Sequence, residues 1–298
     1  MRPFLRRTFR TTLSRIAAGV ILLVVAVSIL GPWIRPYSPV AQDVNALFAG
    51  PGGKHLLGTD YLGRDTLSRL VDGTRLTFEG ALTSMLIGLG LGALPGMGSA
   101  FIGRKAQFAV MRVVDAMLAF PPIIFAIAVV GAFGAGQWTA SAAIGVLIAP
   151  RFFRIVRAET LGLVGAQYVE AAELLGASKF RVLRMHVARK VLPTIAVTSA
   201  TTMAEALLAV SALSFLGLGP AAPAATWGGM LADDVTYLSQ DAYGAIWPGL
   251  AIMITVAALN AIADAVRDGT ASGASAPRLR RRWLPTPKLL READGHVA

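Results

Sequence analysis

Six long apolar blocks decide what this chain can become. A helix that spans a bilayer needs roughly 17–25 predominantly apolar residues. Such stretches occur at residues 16–34, 80–102, 113–133, 138–150, 193–216 and 245–265. The fourth is short, because its apolar part stops at Pro150. Composition agrees: 15% of the 298 residues are charged and 55% are hydrophobic, against about 25% charged in an average soluble chain. Prolines and glycines inside such helices are tolerated where neighbouring helices satisfy the freed backbone groups. The expected fold class is therefore an all-α integral membrane protein, a packed bundle of six transmembrane helices.

The basic residues give an orientation. With six spans, the N-terminus, the 103–112 loop, the 151–192 segment and the C-terminal tail share one side, and they hold 23 of the 28 Lys and Arg. The positive-inside rule puts that side, and both termini, in the cytoplasm. The expected organisation is a basic N-terminus at 1–15, a first span at 16–34 and an extracytoplasmic segment at 35–79. A five-helix core at 80–268 follows, with a cytoplasmic loop at 166–192 and a flexible basic tail at 269–298. The net charge of +11 fits positive-inside charge beside anionic lipid better than a nucleic-acid partner. An arginine-rich start followed by an apolar run also describes a signal peptide, with Ala26-Val27-Ser28 as its cleavage site. The run continues to Ile34, which favours a span.

Several chemistries are excluded. Without cysteine there is no disulfide, thiolate zinc site or cysteine nucleophile, and the scattered His55, His186 and His296 make no metal cage. No Gly-x-x-x-x-Gly-Lys-Ser/Thr loop, His-Glu-x-x-His or Gly-x-Ser-x-Gly is present. The chain is expected to be no enzyme and to bind no cofactor or metal itself.

The 166–192 loop carries the most information. Glu170 to Leu175 should be helical, with Gly176 making a left-handed turn and Ser178 capping a second short helix. Phe180, Leu183 and Val187 then share one face, away from Lys179, Arg181 and Arg184. Two amphipathic helices joined at a glycine suit docking into a groove on a soluble partner. From the residues alone, a solvated, lipid-facing loop fits equally well.

Glu170-Ala171-Ala172, followed by Gly176, resembles the EAA loop of ABC importer permeases. His55-Leu56-Leu57-Gly58-Thr59-Asp60-Tyr61-Leu62-Gly63-Arg64-Asp65, with Leu67-Ser68-Arg69-Leu70 behind it, resembles a signature of the dipeptide, oligopeptide and nickel branch. The segments Leu213-Ser214-Phe215-Leu216-Gly217-Leu218-Gly219 and Thr226-Trp227-Gly228-Gly229-Met230-Leu231 are similar to that branch's outer loop, and Trp247-Pro248-Gly249 to its closing helix. The resemblance implies the type I importer permease fold, in the second-permease position of the complex. It also implies a heterodimer with a second homologous permease, two ABC ATPase subunits that carry ATP and Mg, and an extracytoplasmic substrate-binding protein. Glu170, Ala171, Ala172, Gly176, Ala177, Phe180 and Arg181 would couple to the ATPases. Gly58, Thr59, Asp60, Gly63, Arg64 and Asp65 form the family signature, and Ser214, Phe215, Gly217, Gly219, Trp227 and Gly228 the outer gate.

Two departures stand out. The family's Leu-Pro after the glycine is replaced by Ala188-Arg189, with only a later Leu192-Pro193, so the helix is expected to run a turn further into the fifth span. Val210 stands where an acidic residue is usual, and Glu205 lies five residues earlier. An ionised carboxylate inside a span is costly, so Glu205 is expected to line the pathway or to pair with a neighbouring helix or subunit. Asp60, Arg64 and Asp65 are expected to form a rigid turn rather than touch solute, Glu79 to be solvated, and Asp264, Arg267 and Asp268 to pair locally. Peptide is the expected solute, with nickel or a glutathione-like solute as alternatives. A self-sufficient secondary transporter, a different class, would show related halves, and no clear internal repeat is visible.

Overall fold

The computed structural model describes residues 11–271, apart from the side chains of Glu170, Ala171, Glu173, Lys179, Phe180, His186, Thr270 and Ala271. Arg2, Arg6, Arg7 and Arg10, and the basic tail from residue 272, lie outside the described residues. Every regular element described is a helix: α1 Thr12–Ile34, α2 Thr66–Gly98, α3 Arg104–Ala119, α4 Pro122–Phe133, α5 Gln137–Val164, α6 Gln167–Leu174, α7 Lys179–Val182, α8 Ala188–Phe215, α9 Trp227–Thr236 and α10 Ile246–Ala271. Five of these (α1, α2, α5, α8 and α10) are each long and apolar enough to cross a membrane.

The third block differs from its expected single helix. It breaks into α3 and α4, bent by 92°. The cause is Pro121-Pro122, because a proline drives the residue before it out of the helical region. Phe120 and Pro121 are accordingly both extended, and Pro122 opens α4, where its missing N–H costs nothing. The fourth block is also corrected: α5 does not stop at Pro150 but runs on to Val164. The arginines that made the sequence look non-spanning each find a partner on another element, Arg151 on Glu205, Arg154 on Asp115, and Arg157 on Ser99 and Gln107. The second helix starts at Thr66, well before residue 80, because the Asp65 carboxylate accepts from the Ser68 backbone N–H and caps it. Helix α9 falls in the stretch that resembles the outer loop, capped by Thr226, whose Oγ1 accepts from Gly229 N at 3.0 Å.

Between lipid-facing helices there is little hydrophobic drive, so small residues that let backbones approach decide which helices pair. Gly88, Gly92 and Gly96 recur every fourth residue on α2 and face α5. A Cβ at Gly92 would lie 2.2 Å from the Ala149 carbonyl oxygen, and one at Gly145 of α5 would lie 2.6 Å from Ile87 Cβ. Ser84 Oγ adds a hydrogen bond to the Ser141 carbonyl at 3.0 Å. Two apolar clusters flank this seam. One holds Ala81, Ile144, Leu207, Val210, Leu213 and Trp227, the other Ala93, Val156, Val169, Val182, Val187 and Val191.

Gly92→Leu is expected to cost about 3 kcal/mol or more, since overpacking a closed seam forces backbone shifts. Thermal unfolding of the detergent-solubilised protein checks this: a melting temperature equal to that of the parent protein would contradict the seam.

Candidate functional site

At the end of the bundle where α2 begins, the signature residues fold into a compact turn. Gly58 and Gly63 have φ of +83° and +72°, a region L side chains rarely adopt. A Cβ at Gly63 would also lie 2.0 Å from the Asp43 carbonyl oxygen. Thr59 N donates to Ala49 O at 2.9 Å, and Thr59 Oγ1 donates to Ala46 O. These bonds tie the turn to the chain that leaves α1. His55 Nδ1 and Asp65 Oδ1 lie 2.9 Å apart, and Asp65 Oδ2 accepts from both N and Oγ of Ser68.

Asp60 is the hub. Its Oδ1 accepts from the backbone N–H groups of Leu62 and Arg64, and its Oδ2 lies 2.6 Å from Arg64 Nε and 3.3 Å from Arg69 Nε. All three side chains are buried. The expected rigid Arg–Asp turn is present, and Arg69 extends it. From α9, Asp233 approaches the same guanidinium groups at 3.7 and 3.8 Å. Trp227 locks α9 down, its backbone N donating to Thr77 Oγ1 and its Nε1 to Leu70 O, both at 3.1 Å. Gly228 is obligatory there, since a Cβ would sit 2.0 Å from the Ser211 carbonyl oxygen. Tyr61 stacks on Tyr237 with centroids 4.8 Å apart. Ser214, Phe215, Gly217, Arg64, Arg69 and Asp233 border one cavity of about 240 Å³, while Gly219 packs on Ser214 and lies outside that lining. Arg64 and Arg69 thus meet Ser214, Phe215, Gly217 and Asp233, some 150 positions away in the chain, around one cavity.

Burial, with Asp233 and Asp241 beside it, pushes the Asp234 carboxyl up from the ordinary 3.8 to about 7. Burial also raises Asp233, opposed by Arg69 and Arg64.

At the opposite end, residues 167–182 form a helical hairpin. Gly176 takes φ +84°, and Ala177 N donates to the Ala172 carbonyl at 3.0 Å, closing α6. Ser178 Oγ accepts from Arg181 N at 3.3 Å and opens α7. Val169, Val182 and Val187 are buried against Ala93 of α2 and Val156 of α5, whereas Leu174 and Leu175 at the tip are 83% and 89% exposed. Gly176 and Arg181 are exposed and Ala177 half-buried. Glu170 and Ala171 lie on α6 and Phe180 on α7, but their side chains are outside the described set. In place of the usual Leu-Pro break, a π turn at Leu183–Val187 joins α7 to α8 without interruption.

Glu205 pairs with Arg151 of α5, and Asp115 of α3 with Arg154. Both basic partners went unrecognised in the sequence. Their only signal was position, on a helix that had to continue beyond Pro150. Glu79 pairs with Arg75 at 2.8 Å and Arg267 with Asp264 at 3.0 Å.

With this geometry in place, comparison with known proteins identifies the class. Residues 69–272 match the family described as binding-protein-dependent transport system inner membrane component, and residues 1–51 match the N-terminal TM domain of oligopeptide transport permease C. The chain is 38% identical over 263 residues to a putative peptide transport system permease protein of Brucella suis, covering 88% of each chain. It is 36% identical to the nickel transport system permease protein NikC of Escherichia coli, covering 85% of this chain and 92% of that one. It is likewise 36% identical to a di/tripeptide transport system permease protein of Pseudomonas aeruginosa, covering 83% and 84%. In fold it is similar to the MetNI methionine ABC transporter in an inward-facing conformation, with TM-score 0.57 and 18% identity over 68% of this chain and 95% of that chain. The chain belongs to the family of binding-protein-dependent transport system inner membrane components, and is a permease subunit of an ABC importer.

Two outcomes are expected. Asp60→Ala leaves Arg64 and Arg69 buried beside only a distant Asp233, and should cost about 3–5 kcal/mol; unfolding within about 1 °C of the parent protein would refute the hub. The folded form holds the Asp234 proton across a window where the unfolded chain has released it. That contribution is therefore complete below about pH 4 and lost as pH rises towards 7. Asp234→Asn should remove this dependence, making the protein more stable than the parent at pH 8 by on the order of 1 kcal/mol, about 2–4 °C. Melting curves at pH 5 and pH 8 test it, and an equal difference at both contradicts it.

Proposed function

We propose that this chain is the non-catalytic permease of an ATP-driven peptide importer, coupled to its motor through the 166–192 hairpin. The supporting observation is the hairpin itself. Its apolar face is sunk between α2 and α5, while Leu174, Leu175 and Gly176 stand clear of the bundle. A rigidly rooted hairpin with an exposed apolar tip suits a groove on a soluble partner. In this reading both termini and the hairpin face the cytoplasm, in line with the basic-residue bias. The partners are a second homologous permease, two ATPase subunits carrying ATP and Mg, and a binding protein that docks on the extracytoplasmic site built from 55–69 and 213–233.

The motor's state shifts the bundle only through its differential contacts with the hairpin. Closure of the ATPases would press on Glu170–Arg181, and the strain would pass along α2, α5 and α8. Peptide is favoured as solute because relatives named as peptide and di/tripeptide permeases are 38% and 36% identical to this chain. A nickel reading is supported by the 36% identical nickel permease, and a glutathione-like solute by a glutathione permease at 34%.

Gly176→Trp forces a bulky residue into a left-handed position at the tip, and Glu170→Lys reverses the charge on α6. Each is expected to lower ATP-dependent uptake about tenfold or more, while the complex assembles and still hydrolyses ATP. Uptake at the parental rate with normal expression would refute the coupling assignment.

A further inference from the structure

The charges at mid-span are used by neither the hairpin nor the gate. On α8, Thr194, Thr198, Thr201 and Glu205 recur at intervals of four, three and four residues, which places them on one helix face. The three threonines border a cavity of about 350 Å³ together with Arg151 and Ile155 of α5 and Arg267 of α10. Thr198 Oγ1 donates to the Thr194 carbonyl at 2.8 Å, and Thr201 Oγ1 to the Thr198 carbonyl at 2.9 Å. Both hydroxyls spend their proton on their own helix and keep lone pairs to offer.

Glu205 closes the stripe and pairs with Arg151, their side chains 52% and 42% exposed. Glu205 lies ten residues from the end of α8 at Phe215, about 15 Å along a helix rising 1.5 Å per residue, and thus near the middle of a bilayer core of about 30 Å. Arg151 lies fourteen residues into α5, about 21 Å from its start. Half-exposed charges at that depth face a water-filled cavity or protein rather than hydrocarbon. Arg154 and Asp115, also half-exposed, continue the charged face beyond them.

We propose that the Arg151–Glu205 pair is a charge-selective station of the translocation pathway. It takes the two termini of a zwitterionic solute, the carboxylate on the Arg151 guanidinium and the ammonium on the Glu205 carboxylate. The inference rests on the peptide-importer reading and names how this subunit recognises that solute. Empty, the pair neutralises itself. Occupied, it exchanges one internal ion pair for two with the solute, so no charge is left unpartnered at mid-span. An ammonium group also meets the threonine lone pairs. The half-exposed setting screens each contact, keeping the solute weakly held, as passage through a pathway requires.

The test is ATP-driven uptake of radiolabelled alanyl-alanine and penta-alanine into proteoliposomes holding the complete transporter with its binding protein. Four forms are compared: the parent, Arg151→Gln, Glu205→Gln and the double neutral variant. Each single variant is expected to lower the uptake rate about tenfold, the loss of roughly 1.4 kcal/mol of interaction. The double variant should be at least as impaired, with assembly and ATP hydrolysis retained. A pair that only ties helices together behaves oppositely, because removing both charges relieves the one left uncompensated. Recovery of uptake in the double variant, or parental rates in both singles, overturns the station alone. A parent that assembles and hydrolyses ATP but imports neither probe overturns the peptide reading, and the station with it.

Discussion

The close approach of α2 to α5 is the constraint on which the rest depends. In a bilayer, apolar side chains gain little by meeting each other rather than lipid, so helices are sorted by how closely their backbones pack. Gly88, Gly92 and Gly96 of α2 and Gly145 of α5 leave no room for a Cβ without a clash. They make these two helices one rigid strut through the bundle.

Both candidate sites are built on that strut. At one end, Asp65 caps α2, and Trp227 bonds to Leu70 and Thr77 of the same helix, so the signature turn and α9 are referenced to it. At the other, Ala93 of α2 and Val156 of α5 form the floor on which the 167–182 hairpin sits. A displacement of the hairpin therefore has a stiff element to act through. Helix α8 continues from the hairpin through a π turn at Leu183–Val187, giving a second continuous path that passes Glu205 before ending at Phe215, beside the cavity that Arg64 and Asp233 border.

The helices were legible in the sequence because apolar blocks of spanning length have few other uses. Their limits were less legible, for identifiable reasons. The start of α2 is set by a cap at Asp65 in a polar stretch, where hydropathy has no signal. The continuation of α5 past Pro150 sets Arg151, Arg154 and Arg157 against partners on α8, on α3, and at Ser99 and Gln107. None of those pairings is local in the chain. In the site, the Asp60–Arg64 pair could be read from its spacing, as could the left-handed turn at Gly176. The meeting of the signature turn with α9 through Arg69 and Asp233 required the fold, and so did the partner of Glu205. Helix α9 escaped notice because ten residues containing Gly228, Gly229, Asp233 and Asp234 carry little helical pattern on their own.

In the proposed function this chain is a conduit whose motor lies on other polypeptides. Purification of the tagged chain from native membranes in mild detergent, with mass spectrometry of what accompanies it, tests that most directly. A second, similar permease and a pair of ATPase subunits are expected to accompany it, and reconstitution of that assembly with the binding protein should give uptake that stops without ATP. A chain that purifies alone and carries solute into liposomes without ATP would contradict it.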